Sequence, residues 1–155
     1  VLFRSRKKEY AMISTRGRYA LRMMLDLAEN QKDGYVALKD IARRQDISKR
    51  YLEQILPVLS RSELLQTARG PQGGYRLRKP PEAYSVGEIL RAAEGSLAPV
   101  ACLEHRPNQC PRCDECMTLP VWEGLEKVIS EYLDGLSLKD ILDRKADAVG
   151  NDYII

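Results

Sequence analysis

All four cysteines and the single histidine of this 155-residue chain lie in one stretch, residues 101–117. Cys102, Cys110, Cys113 and Cys116 have the spacing Cys-x7-Cys-x2-Cys-x2-Cys, and His105 lies between the first two. Thiolates bind soft and borderline metals well, and closely spaced cysteines can share one metal centre. Cys-x2-Cys pairs can also form disulfides. The stretch is therefore a candidate metal-binding or redox loop.

The spacing alone leaves several kinds of site open. Four cysteines can hold an iron–sulfur cluster of the 2Fe–2S or the 4Fe–4S type, and structural zinc accepts the same four ligands. A metal-free redox switch is a third possibility. A catalytic cysteine would need a base, for which His105 is the single histidine, but no nucleophile elbow, phosphate loop or paired carboxylates accompany it. We therefore expect a binding site and no enzyme activity.

Charge is distributed unevenly along the chain. Residues 1–79 contain 18 Lys and Arg against 8 Asp and Glu, a net charge of +10, whereas residues 80–155 contain 7 against 14, a net charge of −7. So basic a half is typical of a nucleic-acid binder, although it can also be a solubilising surface. No apolar run approaches the roughly 20 residues of a transmembrane helix, and no signal-like segment opens the chain. We expect a cytoplasmic protein with no membrane partner.

A first helix is predicted to begin at a Ser14 or Thr15 cap and to end near Asn30. Its apolar positions recur at helical spacing: Leu21, Met24, Leu25 and Ala28. Arg16 and Arg18 lie in the first turn, where cations oppose the helix dipole. Their presence there suggests a phosphate partner, with ordinary solvated charge as the alternative.

Two further helices are predicted with helix-turn-helix spacing. One spans Leu38 to Arg44, and the next begins after the N-cap Ser48. The buried face of the second helix would be Leu52, Ile55, Leu56 and Leu59, and its polar face Lys49, Arg50, Glu53 and Gln54. This arrangement leaves the polar face free to enter a major groove. Pro57 lies inside the second helix and is expected to kink it or end it early.

Residues 64–68 and 75–78 are predicted to form two short strands around a glycine-rich tip, residues 69–74. The tip begins with Arg69 and includes Gly73, and Arg76 and Arg78 follow it. Such a tip can bring the backbone close to phosphates or into a minor groove, although it is also simply a good turn. Directly after a helix-turn-helix, the hairpin predicts a wing.

The second half of the chain is predicted to be helical. Ser85 and Glu88 form a capping box that begins a helix ending near Glu94. A long helix is predicted over 118–136, with one apolar stripe of Trp122, Leu125, Ile129, Tyr132, Leu133 and Leu136. A small winged domain offers little surface to cover so long a helix. We therefore expect the apolar stripe of this helix to form a homodimer seam, and the alternative is that it packs on the winged domain of the same chain. A short helix is predicted from Ser137 to Leu142.

The predicted fold is mainly α: a winged helix-turn-helix DNA-binding domain plus a long dimerisation helix, with a small β-hairpin wing. Residues 1–11 are expected to be an N-terminal extension before a start at Met12. The remaining segments are the DNA-binding domain (12–80), a connecting helix (81–100), the cysteine-rich loop (101–117), the dimerisation helix and short C-terminal helix (118–145), and a tail (146–155). A chain of this length can bury a core without disulfides.

Four segments together resemble the Rrf2 family of bacterial winged-helix regulators. They are Ile13-Ser-Thr-Arg-Gly-Arg-Tyr-Ala-Leu-Arg, Tyr51-Leu-Glu-Gln-Ile-Leu, Arg69-Gly-Pro-Gln-Gly-Gly-Tyr and Cys116-Met-Thr-Leu-Pro-Val-Trp. The resemblance covers roughly residues 12–142, with the motifs in the expected order. It implies a homodimer on a partly palindromic operator, and we expect the regulator to be a repressor. Members of the family regulate cluster assembly, nitric-oxide defence or cysteine metabolism.

The resemblance also implies roles for the basic half. Arg50, Glu53 and Gln54 map onto base-reading positions, and their chemistry agrees, since Arg suits guanine, Gln suits adenine and Glu can accept from the cytosine amino group. Phosphate or minor-groove contacts are expected from four residues: Arg16, Arg18, Tyr51 and Arg69. The predicted DNA-binding set is completed by Ser48, Lys49 and Gly73.

In the family's iron–sulfur members, three cysteines and one other residue hold the cluster. Cys102, Cys110 and Cys116 match the three. The family's fourth ligands are missing: the histidine position three residues after the last cysteine is Leu119, and an acidic N-terminal ligand would fall near Arg18.

Cys113 is therefore the first candidate for the fourth ligand and His105 the second. The resulting hypothesis is that a cluster orders the loop and sets the spacing of two DNA-reading helices in a dimer. The alternative is a metal-free thiol switch or a structural-zinc regulator of cysteine and sulfur metabolism.

Overall fold

A computed structural model describes residues 12–32 and 34–151. Within these ranges the helices are α1 (Thr15–Asn30), α2 (Leu38–Gln45), α3 (Lys49–Arg61), α4 (Val86–Glu94), α5 (Leu119–Asp134) and α6 (Leu138–Asn151). The strands β1 (Leu65–Ala68) and β2 (Gly74–Leu77) form an antiparallel hairpin. The predicted N-terminal extension, 1–11, and the last tail residues, 152–155, lie outside the described residues. The predicted mainly α winged-helix fold is confirmed.

Helix α1 is the centre of the main core. Ser14 caps it by accepting a hydrogen bond from the Arg16 amide at 3.2 Å. Its fully buried apolar residues are Ala20, Met23, Met24 and Leu27. The other predicted positions, Leu21, Leu25 and Ala28, are half-buried at the edge of the core. The buried face of α1 is therefore rotated around the helix axis relative to the predicted one. The physical reason is that α1 packs against α2, α3, α4, α6 and the hairpin at once.

The predicted helix-turn-helix is confirmed. Ile41 of α2 and Ile47 of the connecting turn are buried, and Ser48 caps α3 by accepting from the Tyr51 amide at 3.2 Å. The predicted buried face of α3 is buried in full: Leu52, Ile55, Leu56 and Leu59. Of the two expectations for Pro57, a kink or an early end, the early end is wrong, since α3 continues to Arg61. Pro57 is exposed, so the backbone carbonyl that loses its partner can bind water.

The hairpin is fastened to the helical core at two points. Val36, between α1 and α2, exchanges backbone hydrogen bonds with Tyr75 at 2.8 and 2.9 Å. Gly74 permits this close approach, because a Cβ at this position would overlap the Val36 carbonyl. The φ of Gly74, +150°, is also one that other residues rarely adopt. At the base of the hairpin, the buried Tyr84 hydroxyl accepts from the Lys79 amide at 3.1 Å and donates to the Leu64 carbonyl at 2.6 Å.

Helix α4 connects the winged domain to the C-terminal helices. Ser85 caps it by accepting from the Glu88 amide at 3.0 Å. The second half of the predicted capping box is replaced by an ion pair, because the Glu88 carboxylate binds Lys79 at 2.9 Å. On the other side, Arg91 binds both carboxylate oxygens of Asp134 on α5, at 2.6 and 3.1 Å.

Helix α6 is longer than predicted. It continues to Asn151 instead of ending near residue 142, so part of the expected tail is helical. The Ser137 and Asp140 side chains cap its start reciprocally, at 2.8 and 3.1 Å. Lys145 then binds Glu29 of α1 at 2.6 Å. This contact with α1 lies in the part of the helix that its weak apolar pattern did not indicate. Within the described ranges, no helix is long and apolar enough to span a membrane.

Candidate nucleic-acid interface and cysteine-rich loop

The outward face of α3 is a continuous polar surface. Its exposed residues are Lys49, Arg50, Glu53 and Gln54, opposite the buried stripe. Lys49 Nζ lies 3.7 Å from Glu53 Oε1, a spacing typical of a solvated pair along one helix. Ser48 also belongs to the predicted contact set, but its hydroxyl is engaged in the cap. This face offers the donors and acceptors that base edges in a major groove require.

The first turn of α1 carries Arg16 and Arg18, both exposed. The Arg18 guanidinium donates to the Thr15 hydroxyl at 3.0 Å, which holds it against the turn. One turn further, the Tyr19 ring meets the Tyr51 ring of α3 edge-on, with centroids 5.3 Å apart. The half-buried Tyr51 therefore joins the two helices that carry the predicted contacts.

The arginines of the wing differ in their surroundings. Arg76 stacks over the Tyr35 ring at 4.7 Å and donates to Gln66 at 2.6 Å, so it belongs to the body of the domain. Arg78 pairs with Glu63 at 3.5 Å. Arg69 is exposed at the tip. Gly73 is required by the tip itself, because a Cβ there would overlap the Ala68 carbonyl.

The cysteine-rich loop, residues 101–117, contains two short 3-10 turns, Ala101–Leu103 and Cys113–Glu115. All four cysteines are free thiols and half-buried. Among the described residues, no group of three or more His, Cys, Asp and Glu side chains lies close enough to hold a metal ion. The structure thus places the thiols in one loop without converging them on one point.

The middle of the loop, residues 103 and 105–108, faces α5 across a cleft of about 800 Å³. His105 lines this cleft together with Glu123 and Lys127. Arg106 crosses it to bind Glu126 of α5 at 2.9 Å. This ion pair links the middle of the loop to the long helix.

The thiols nearest α5 have different acidities. A hydrogen bond with the Thr118 hydroxyl at 3.4 Å, together with the charge of Arg112, lowers the pKa of Cys116. Partial burial and the neighbouring Asp114 carboxylate raise the pKa of Cys113. Because the thiolate is the form that binds metals and attacks oxidants, Cys116 is the more readily engaged of the two. In donor chemistry the four sulfurs fit an iron–sulfur cluster or zinc, and the loop must draw together to ligate either.

Helix α5 has two apolar faces instead of the one predicted. Ile129 and Leu133 of α5, with Leu136 just after the helix, pack in a second core with Val86 and Leu90 of α4. A second set faces solvent, with exposed fractions of 59% at Val121, 43% at Leu125, 62% at Val128 and 63% at Tyr132. The spacing of these four residues, 4-3-4, is that of a coiled-coil seam. We name this set the α5 stripe.

Glu94, at the end of α4, is a residue that the sequence did not point to. Its Oε1 accepts from the Ser14 amide at 2.7 Å and from the Gly17 amide at 3.0 Å, at the start of α1. No local pattern marks a contact between residues nearly 80 positions apart. The carboxylate lies within one turn of Arg16 and Arg18.

A basic winged helix-turn-helix with an exposed polar second helix defines the class of DNA-binding transcriptional regulators. The family model Rrf2, described as "Iron-dependent Transcriptional regulator", matches residues 13–144. The chain belongs to the Rrf2 family, whose members are DNA-binding regulators and not enzymes, and this confirms the resemblance found in the sequence.

Known relatives agree with this assignment. The regulator IscR of Aliivibrio salmonicida is 38% identical over 130 residues, which are 84% of this chain and 76% of that protein. The structure of T. potens IscR is 39% identical, with a TM-score of 0.70 over 88% of this chain and 89% of the other. The structure of CymR, the global cysteine regulator of B. subtilis, is 34% identical, with a TM-score of 0.69 over 85% of this chain and 96% of the other.

Proposed function

We propose that this protein is a homodimeric repressor whose operator binding is controlled by an iron–sulfur cluster in the cysteine-rich loop. The observation that carries the proposal is the concentration of four half-buried thiols in residues 101–117, directly before α5 of a DNA-binding fold. The iron dependence in the family description and the likeness to two IscR proteins support it.

The ligands we assign are Cys102, Cys110 and Cys116, with Cys113 as the fourth and His105 as the alternative fourth ligand. A bound cluster of the 2Fe–2S or 4Fe–4S type would supply a redox-sensitive, iron-dependent group. The thiols must approach one another to hold it. Because the loop contains no element longer than one 3-10 turn, its closure need not break a helix or a strand.

For the DNA complex we assign base contacts to Arg50, Glu53 and Gln54. Contacts to the backbone or minor groove are assigned to Arg16, Arg18, Tyr51 and Arg69. The α5 stripe is the seam of the proposed dimer, because its four apolar residues face solvent in the monomer. Two-fold symmetry then places two copies of α3 on a partly palindromic operator.

Closure of the loop would act on DNA binding through the elements that it contacts. The Arg106–Glu126 ion pair joins the loop to α5, and the Arg91–Asp134 pair joins α5 to α4. A shift of α5 would change the seam and the spacing of the two α3 helices. Such a switch requires that the two states of the loop bind the operator with different affinity.

The first experiment tests the cluster. Protein purified without oxygen is examined by absorption spectroscopy and assayed for iron, sulfide and zinc. We expect brown protein with iron and sulfide, loss of both in Cys110→Ala, and retention of both in the neighbouring control Gln109→Ala. Colourless protein with stoichiometric zinc would reject the iron–sulfur assignment and favour structural zinc.

The second experiment tests the switch. Operator binding by cluster-loaded and cluster-free protein is measured across a salt series, since backbone contacts make affinity strongly salt-dependent. We expect the two forms to differ at every salt concentration. Equal affinities throughout would reject control by the cluster, although not its presence.

A metal-free thiol switch is the second candidate, supported by the likeness to CymR and by the thiols at the two ends of the last 3-10 turn. Cys116 follows Cys113 by one turn, and the pKa of Cys116 is lowered. Peroxide would oxidise the Cys116 thiolate to a sulfenic acid with release of hydroxide, and Cys113 would then form a disulfide with release of water. Mass spectrometry of peroxide-treated, metal-free protein would detect that disulfide. Unchanged operator binding after oxidation would exclude it as a switch.

A further inference from the structure

We propose that Glu94 is the positioning residue through which the cysteine-rich loop acts on the DNA-contacting turn of α1. This inference rests on the proposed function. It assigns to this one carboxylate the coupling between the cysteine-rich loop and the basic first turn of α1, which lies outside α3.

The contact is made by a single carboxylate and the first turn of a helix. Glu94 Oε1 accepts from the Ser14 amide at 2.7 Å, from the Ser14 hydroxyl at 2.8 Å and from the Gly17 amide at 3.0 Å. Glu94 Oε2 lies 3.0 Å from the same hydroxyl. The first amides of a helix have no partner within the helix, and its dipole favours a negative charge there. Glu94 supplies both requirements from another helix.

The absence of a side chain at Gly17 leaves the space that the Glu94 carboxylate occupies. Gly17 is buried, and a Cβ at this position would overlap Glu94 Oε1. A side chain of any size at residue 17 would therefore displace the carboxylate. Hydrogen bonds from amides to an ionised carboxylate are among the stronger ones in proteins.

Glu94 is also the last helical residue before the thiol loop. Gly95 ends α4 with a φ of +86°, and Cys102 follows seven residues later. Between them, Leu97 is buried in the second core, against which Ile13 also packs. Movement of the loop would therefore be transmitted over a short chain to the end of α4 and to the residues that precede α1.

The other end of the contact carries the charges that would meet DNA. Arg16 and Arg18 are exposed on either side of Gly17. While the Glu94 carboxylate accepts hydrogen bonds from Ser14 and Gly17, the turn that carries both arginines is held in place relative to α4. A displaced carboxylate frees this turn and leaves its amides without their acceptor. Cluster binding at the loop would then change the contacts that these arginines make with the operator.

The test compares the ratio of operator affinities of cluster-loaded and cluster-free protein in four proteins: wild type, Glu94→Gln, Gly17→Ala and the control Glu88→Gln. Glu88→Gln removes the same charge from the same helix, but its partner is Lys79. Gly17→Ala displaces the carboxylate from the opposite side while favouring helix formation. Iron content and the absorption spectrum verify that each variant still holds the cluster.

For a wild-type ratio in the usual range of allosteric coupling, about 5- to 150-fold, we expect Glu94→Gln and Gly17→Ala to bring the ratio to within about twofold of one. Glu88→Gln should keep the wild-type ratio even if both of its affinities fall. An undiminished ratio in Glu94→Gln and Gly17→Ala overturns this inference and leaves the proposed function intact. A wild-type ratio of one overturns the proposed function, and the inference with it.

Hydrogen exchange in the wild-type protein provides a second readout that needs no substitution. The Gly17 amide should exchange at different rates in the cluster-loaded and cluster-free forms, because its acceptor is the Glu94 carboxylate. Amides in the middle of α1 should exchange alike in both forms. Equal rates at Gly17 would overturn the coupling through Glu94.

Discussion

The carboxylate of Asp26 on α1 accepts two hydrogen bonds from the Arg44 guanidinium on α2, at 3.0 Å from Nε and 2.6 Å from Nη2. Gln45 Nε2 donates a third at 2.9 Å. Asp26 is 1% exposed, so these donors replace the water that its charge would otherwise bind. The hydrogen bond with Asp26 raises the pKa of Arg44 above its ordinary value. This pair links α2, and hence the helix-turn-helix, to α1.

Asp26→Ala is expected to lower the free energy of unfolding by about 3 kcal/mol, the low end for a broken buried ion pair, because Arg44 is partly exposed. The matched control is Asp40→Ala, which breaks the more exposed pair with Arg43 at 3.4 Å and should cost less than about 1 kcal/mol. Urea denaturation measures both. Equal losses would show that the buried pair contributes no more than the exposed one.

The fourth cluster ligand can be identified by two substitutions in the same loop. Cys113→Ala is expected to reduce iron and sulfide content and the visible absorption, whereas His105→Ala should leave them unchanged, because thiolate is the usual ligand of such clusters. Anaerobic iron and sulfide analysis measures both. The reverse pattern would assign the position to His105, whose ring lines the cleft toward α5.

Substitutions in α3 are expected to change base specificity, whereas substitutions at the start of α1 are expected to change affinity for all sequences. Glu53→Ala should relax base preference by about 1–3 kcal/mol at one position, because a base-edge contact is lost. Arg16→Ala should weaken binding to operator and scrambled duplexes alike and reduce the salt slope by about 1, as for one lost phosphate contact. Binding titrations on both duplexes across salt measure this. A uniform loss in both variants would contradict the assigned roles.

The α5 stripe is expected to form the dimer seam. Val128→Glu should yield monomers in sedimentation equilibrium and weaken operator binding, because a carboxylate would be buried without a partner in the seam. The control is Val149→Glu on α6, since Val149 is 56% exposed and Val128 is 62% exposed. This control should remain dimeric. Dimers of Val128→Glu would place the interface elsewhere.

Much of the winged domain could be predicted because its signals are local. Ser48 as a cap, the period of the apolar residues in α3 and the glycines of the wing tip act through neighbouring residues, and the structure has each of them where predicted. Local rules failed where tertiary packing supplied a partner or exposure removed a penalty. Pro57 lies in a continuous helix, where its exposure lets water bind the carbonyl that lost its partner, and α6 continues past residue 142 to where Lys145 binds Glu29 of α1.

The sequence by itself determined where the chemistry lies: four thiols in one loop, a polar helix face after Ser48, and a basic wing. Tertiary structure decided which faces of α5 are covered, that the described thiols do not converge on one point, and that Glu94 meets Ser14 at the start of α1. Helical spacing shows that a residue shares a face with others, but not what covers that face. The neighbour is chosen by packing between segments far apart in the chain, which no local pattern records.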